Sequence, residues 1–258
     1  MKNTGAVPAV FMSTRHGKIY LVGAGPGDAD LLTLKAARVL ADCDVVLYDR
    51  LVGPDVLALI NPKAERLYVG KREGEQQAVQ QQIFRLLLKH ACAGKRVVRL
   101  KGGDPLVFGR GAEEWRLAVR YGVEIELVPG VSSAIAVPGL AGIPLTYRHV
   151  SRSFAVITGH CQQEDEENWR RYASIDTLVI LMGVKNRVHV ARSLIKVGRN
   201  GAESLAFVER GASPDERVIV STLAEVAAGR VAVKNPAVLV IGEVVRLREK
   251  LSPLHKPL

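Results

Sequence analysis

The sequence predicts an α/β protein of two lobes, with a largely parallel sheet in the first and a mixed sheet in the second. Three observations carry that reading. From Lys18 to Val128, short apolar runs bounded by turn residues alternate with stretches of helical spacing, the pattern of strand–helix–strand units with parallel strands. Pro129-Gly130-Val131-Ser132-Ser133 and the small, apolar stretch Ala134–Ala141, with Pro138 and Gly139 inside it, then break the alternation. Beyond the break, Leu205–Glu209 and Arg217–Ser221 look suited to antiparallel pairing.

In order, residues 1–17 are expected to be a flexible tail, because one short apolar stretch interrupted by Pro8 makes a poor secretion signal. The first lobe is expected over 18–138. Lys18–Val22 is a strand ended by the glycine-rich Gly23–Asp28, and Leu31–Ala41 is a helix with Leu31, Leu32, Leu34, Val39 and Leu40 on its apolar face. Asp44–Tyr48 and Arg66–Val69 are strands, separated by a helix over Asp55–Ile60 with Pro54 at its first position. Glu75–Cys92 is a long helix ended by Gly94, Val97–Leu100 a buried strand, Ala112–Tyr121 a helix and Glu124–Val128 a strand. In the second lobe, 139–246, strands are expected at Phe154–Thr158, Leu178–Met182 and Ala237–Ile241. Helices are expected at Glu164–Ala173, Asn186–Val197 and Leu223–Ala228, and residues 247–258 form a charged tail.

Composition narrows the function. A hydrophobic content of 48% excludes a disordered chain, and no apolar run approaches the ~20 residues of a membrane span, so a cytoplasmic protein is expected. Cys43, Cys92 and Cys161 are odd in number and widely spaced, with neither metal-ligand nor disulfide patterning. The formal charge of +10 calls for an anionic partner or serves solubility alone. Dispersed basic residues, 5% aromatics and no nucleic-acid-binding signature favour a polyanionic small molecule over a nucleic acid.

Two glycine-rich turns carry candidate chemistry. Gly23-Ala24-Gly25-Pro26-Gly27 follows a strand, but Pro26 lacks the N–H that a phosphate would need, which disfavours a dinucleotide. Gly102-Gly103-Asp104-Pro105 ends the strand Val97–Leu100. It is either a plain strand-to-helix loop or a ligand turn of the kind found at carboxyl ends of strands in open α/β sheets.

These segments, with Leu31–Ala36, Val45–Val52, Val69–Arg72, the whole of Val97–Glu114, Val128–Ala134, Gly142–Thr146 and Asn235–Ala237, resemble the ordered motifs of the tetrapyrrole methylases. The resemblance covers about residues 18–246 and is nearest to members that methylate uroporphyrinogen III. It implies a two-lobed enzyme with S-adenosylmethionine bound in a cleft and no metal. By position, Pro26, Gly102, Gly103, Asp104, Val107, Ser132, Ser133, Met182, Gly211 and Ala237 would bind that cofactor. Ser132 and Ser133 could instead be helix caps, and Met182 a core residue.

The implied reaction adds methyl groups to two ring carbons, C2 and C7, of uroporphyrinogen III to give precorrin-2. The product would enter sirohaem, cobalamin or haem d1 synthesis. Asp49 matches a position proposed as proton acceptor and Lys71 one proposed as proton donor; a helix-capping Asp and a solvated Lys are the plainer alternatives. Arg110 is expected to meet the carboxylate-rich substrate, oriented by Glu113 three residues on, with Arg50, Arg148 and Arg152 as further carboxylate-binding candidates or surface ion-pair formers. The family also implies a homodimer, with neither nucleic acid nor membrane as partner. A chain of 258 residues is expected to lack the dehydrogenase and ferrochelatase steps of fused relatives. The alternatives are methylation of a later corrin precursor and an RNA methylase on the same scaffold.

Overall fold

A computed structural model describes residues 17–70, 76–160 and 166–251. Most of the expected N-terminal tail, Cys161 and Lys71 lie outside the described residues. The chain divides into two compact units: the segment up to Gly25 with Ala29–Gly130, and Pro26–Asp28 with the segment from Val131 onward.

In the first unit the strands are β1 (Lys18–Gly23), β2 (Val45–Tyr48), β3 (Glu65–Tyr68), β4 (Arg96–Lys101) and β5 (Glu124–Val128). They form a sheet of order β3-β2-β4-β1-β5 in which every neighbouring pair is parallel. The crossovers carry α1 (Leu34–Ala41), α2 (Pro54–Ala58), α3 (Gln76–Cys92) and α4 (Gly111–Arg120). Apolar side chains fill both faces, as a covered parallel sheet requires. Val22, Leu40, Val46, Val56, Val98 and Leu100 pack on one side. Ile19, Leu47, Ile83, Leu87, Val97 and Ala118 pack on the other.

The helix expected from Leu31 starts later. A 3-10 turn spans Ala29–Leu31, and the Thr33 hydroxyl accepts from the Ala36 N–H at 3.2 Å, so α1 begins at Leu34. Leu34, placed by its spacing on the apolar face, is 80% exposed, while Leu40 is buried as expected and Ala36 is buried with it.

The second unit holds β6 (Phe154–Thr158), β7 (Thr177–Leu181), β8 (Ser204–Glu209), β9 (Arg217–Thr222) and β10 (Ala237–Ile241). Their order is β6-β7-β10-β8-β9; β6 and β7 are parallel and the remaining neighbours antiparallel. The mixed sheet, including the β8–β9 pairing, is the one expected. One face packs on α6 (Glu166–Arg170), α7 (Arg187–Lys196) and α8 (Leu223–Ala227) through Trp169, Leu194, Phe207 and Leu223. The other packs on α5 (Ser133–Leu140) through Ala134 and Val137 against Val179, Val208 and Val240.

That last contact explains two departures from expectation. The small apolar stretch is a helix despite Pro138, and it is the covering helix of the second sheet. The units therefore divide at Gly130, and residue 138 falls inside α5. Within the stretch expected to be helical over 164–173, α6 covers Glu166–Arg170 and turns follow it. Of the expected charged tail, residues 252–258 lie outside the described residues, and the part up to Leu251 is ordered. Glu243–Leu247 forms a 3-10 turn with Val244 and Val245 buried, and α9 (Arg248–Leu251) follows. Among the described residues no helix is long and apolar enough to cross a membrane.

Candidate active site

The loops after β1, β2, β4 and β5 converge at the carboxyl edge of the first sheet. Gly103, with φ of +66°, exchanges backbone hydrogen bonds with Gly25: its N–H donates to the Gly25 carbonyl at 2.7 Å, and its carbonyl accepts from the Gly25 N–H at 3.3 Å. Gly23 and Gly130 press on the same turn, where a Cβ would stand 2.6 and 2.3 Å from the Gly103 carbonyl oxygen, an approach that only glycines allow. Asp104 locks the turn. Its Oδ1 accepts from the Leu106 N–H at 2.8 Å and its Oδ2 from the Gly130 N–H at 3.1 Å. Asp104 is thus first a clamp between the β4 and β5 loops, and each oxygen keeps a further lone pair for a ligand hydroxyl. Beside it Leu106, Val107 and Phe108 expose apolar surface.

Asp49 closes the adjacent loop after β2. Its Oδ1 accepts from the Leu51 N–H at 3.1 Å, which closes a turn and is not the helix cap weighed for it, since Gly53 stands at the N-cap of α2, and Leu51 in turn lies where a Cβ on Gly102 would be, at 2.8 Å. Arg110 stands at the N-cap of α4 without capping it, and its guanidinium grips the Glu113 carboxylate through two hydrogen bonds of 2.8 and 2.7 Å. The Arg110–Glu113 contact expected from the i, i+3 spacing is present. Arg50 is exposed nearby in sequence to Asp49.

Beneath this edge lies a charged cluster that sequence reasoning missed. Arg99 and Lys101 of β4, 3% and 5% exposed, meet Glu114 of α4, 1% exposed. Glu114 Oε1 accepts from Arg99 Nε at 3.2 Å, from Gln80 Nε2 at 3.1 Å and from Lys101 Nζ at 3.4 Å. Arg99 also donates to the Leu47 and Leu100 carbonyls, at 3.3 and 2.8 Å, and its Nη2 faces Asp49 Oδ2 at 3.7 Å. Burial, and next the Arg99 charge, push the Lys101 ammonium down to about 8 against the pull of Glu114 and Asp49. The signal was present in the alternation of β4. Val97, Arg99 and Lys101 share a face by period two, and charge on a buried face calls for a partner.

In the second unit the candidates also gather at one sheet edge. Met182 follows β7, Gly211 follows β8 and Ala237 opens β10, which runs antiparallel to both. Extending the register of β10 on β7 puts Ala237 opposite Met182. Gly211 sits against α5, where a Cβ would lie 2.2 Å from Val137 Cγ1, and a Cβ on Gly27, next to Pro26, would meet the Ala212 carbonyl at 3.0 Å. Ser132 caps α5, its Oγ accepting from the Ala134 N–H at 3.3 Å, and Ser133 is the first residue of that helix. Met182 is exposed rather than core. Arg148 and Arg152 are exposed on the segment before β6, and the Arg152 backbone N–H is held by Asp176.

Backbone strain marks the same places. Among the described residues the non-glycines with left-handed backbone are Phe108, Arg110, His149, Met182, Arg210 and Ala212. Each is, or adjoins, a residue singled out from the sequence. Such conformations cost energy and concentrate at functional sites. Glycine backbones packed edge to edge, exposed apolar residues beside them and an Asp with spare lone pairs suit a nucleoside, whose base packs on apolar surface and whose ribose hydroxyls donate to a carboxylate.

A family model described as Tetrapyrrole (Corrin/Porphyrin) Methylases matches residues 18–227. A siroheme synthase from Azotobacter vinelandii is 46% identical over 255 residues, which are 97% of this chain and 54% of that protein. The chain thus spans about half the length of the curated relatives it matches. Among solved structures, the native form of uroporphyrin III C-methyl transferase from Thermus thermophilus has a TM-score of 0.80 at 50% identity, covering 90% of this chain and all of that one. The same enzyme complexed with S-adenyl homocysteine has a TM-score of 0.80 at 49% identity, with the same coverage.

Proposed function

The chain belongs to the tetrapyrrole (corrin/porphyrin) methylases, and we propose that within this family it methylates uroporphyrinogen III at C2 and C7, yielding precorrin-2 with S-adenosylmethionine as methyl donor. The observation that carries this reading is the 50% identity to a uroporphyrin III C-methyl transferase whose whole chain is covered. That a close relative was solved with S-adenyl homocysteine supports the choice of donor.

The donor supplies a methyl group on a sulfonium, activated toward attack by an electron-rich pyrrole carbon. The protein's part is to position, to exclude water and to manage the proton. The turn Gly102–Asp104 walls the donor, with Val107 lending apolar surface. Ser132, Ser133, Met182, Gly211, Ala237 and Pro26 are its further contacts. Arg110, steadied by Glu113, binds a substrate carboxylate, and Arg50, Arg148 and Arg152 offer further cationic contacts. Asp49 accepts the proton that leaves the substrate once the new carbon–carbon bond has formed, and Lys71 serves as donor. Holding both reactants in line is worth up to roughly 7–11 kcal/mol. The chain works as a homodimer in the cytoplasm.

Labelled S-adenosylmethionine, supplied with uroporphyrinogen III and in parallel with RNA, tests the reading. Label in a chlorin-type product supports it. Label in RNA alone, or in neither, overturns it.

A further inference from the structure

We infer that Arg99, anchored by Glu114, is the positioning residue for the Asp49 carboxylate, and that Lys101 completes a cluster of two cations and two carboxylates built for that purpose. The inference rests on the proton-accepting role proposed for Asp49. Arg99 is held from three sides. Its Nε is on Glu114, its Nη1 is on the carbonyls of Leu47 and Leu100, and its remaining arm, Nη2, faces Asp49 Oδ2 at 3.7 Å. A guanidinium keeps its charge at any working pH, so it is a fixed positive group. The other oxygen of Asp49 is tied to the Leu51 N–H. The carboxylate is therefore held at both ends, in the loop at the carboxyl edge of the sheet.

Stability alone does not call for this arrangement. Buried ion clusters are often no better than apolar side chains of equal volume, and the neighbouring position on the same face of β4 is Val97, packed among Ile19, Leu47 and Ile83. Glu114 Oε1 takes three donors while its Oε2 is buried without a hydrogen-bond partner. An arrangement that leaves a carboxylate oxygen unpartnered so that the other can hold Arg99 is geared to the placement of the guanidinium.

The test compares full-length chains turning over uroporphyrinogen III: unaltered, Asp49→Asn, the double variant Arg99→Met/Glu114→Met, and all three substitutions together. The Met pair removes opposite charges jointly and so preserves packing. Expected is a loss of kcat of about tenfold or more in the double variant, with KM within about twofold. Calorimetric binding of S-adenosylhomocysteine should be unchanged, and adding the pair to Asp49→Asn should produce no further loss. Equal fold-losses with and without Asp49, or a kcat unchanged by the pair, would overturn the inference. Should the double variant melt near room temperature, Arg99→Lys takes its place. A kcat loss confined to the background that retains Asp49 supports the positioning role, and an equal loss on both backgrounds refutes it. Absence of turnover by the unaltered chain instead sinks the proposed function, and this inference with it.

Discussion

β4 and β8 are both buried along nearly their whole length, and both carry charge, yet they handle it differently. In β8 the charge is Glu209, the last residue of the strand. Its carboxylate accepts from Arg217 at 2.9 and 3.1 Å and from the Lys234 N–H, and the Arg217 side chain is 57% exposed. The charge leaves the core through its partner. In β4, Arg99 is mid-strand, and it, Lys101 and Glu114 are buried together. Their shifts follow. Arg217 holds the Glu209 carboxyl below the usual carboxylate range, whereas burial foremost pushes Lys101 down to about 8. A buried charge whose partner reaches water is cheap to keep; one whose partners are all buried stands or falls with them.

The comparison breaks most visibly at Glu114. Glu114→Ala leaves Arg99 and Lys101 side by side in the core and should cost about 3–5 kcal/mol, read by urea denaturation at pH 7. A cost below about 1 kcal/mol would mean that the two cations escape to water as readily as Arg217 does.

Lys101 gives the next effect, and its sign is defined. The folded chain binds fewer protons there than the unfolded chain between about 8 and the ordinary value of 10.5. Stability therefore rises with pH across that window, while below it both states are protonated and the cost of burial stands in full. The stability of the unaltered protein minus that of Lys101→Met should climb by at most roughly 3 kcal/mol between pH 7 and pH 10.5. A difference flat in pH would remove Lys101 from the buried cluster.

For β8, Glu209→Gln should cost only about 1 kcal/mol at pH 7. A carboxyl held low contributes above its ordinary value of 4.5 and loses that contribution as the pH falls through its lowered value. Denaturation of the two proteins should therefore converge in acid. Divergence there would show that Glu209 is held by something other than ion pairing.

The smallest effect on stability belongs to Arg110, which is exposed and paired with the half-buried Glu113. Arg110→Lys should shift stability by no more than about 0.5 kcal/mol. It should lower methyl transfer roughly tenfold to a hundredfold through loss of the two-pronged carboxylate grip, with S-adenosylhomocysteine binding unchanged. Unchanged turnover would refute its assigned role.

The fold was legible where one signal dominated. The runs Lys18–Val22, Val97–Leu100 and Ala237–Ile241 are apolar or nearly so and flanked by turn residues, and all are strands. Legibility failed where a local bond or a distant partner decided. The start of α1 depends on one hydroxyl at Thr33, and the helix at Ser133–Leu140 overrides Pro138 because it covers the second sheet. The site divides the same way. Gly102–Asp104 was visible as a turn that no regular element could hold, and the Arg110–Glu113 pair as helical spacing. The cluster under Asp49 was written in the alternation of β4, but its members come from β4, α3 and α4, and no local pattern names the carboxylate that answers two buried cations.

The sequence by itself determined the class of most segments, the family and the turns available to a ligand, because these depend on neighbours along the chain. Only the tertiary structure decided which charge meets which. It made Asp104 a clamp between two loops, gave Met182, Gly211 and Ala237 a common sheet edge, and set Arg99 between Glu114 and Asp49. Burial removes the water that would otherwise answer those charges, so their positions are fixed by partners that only folding brings within reach.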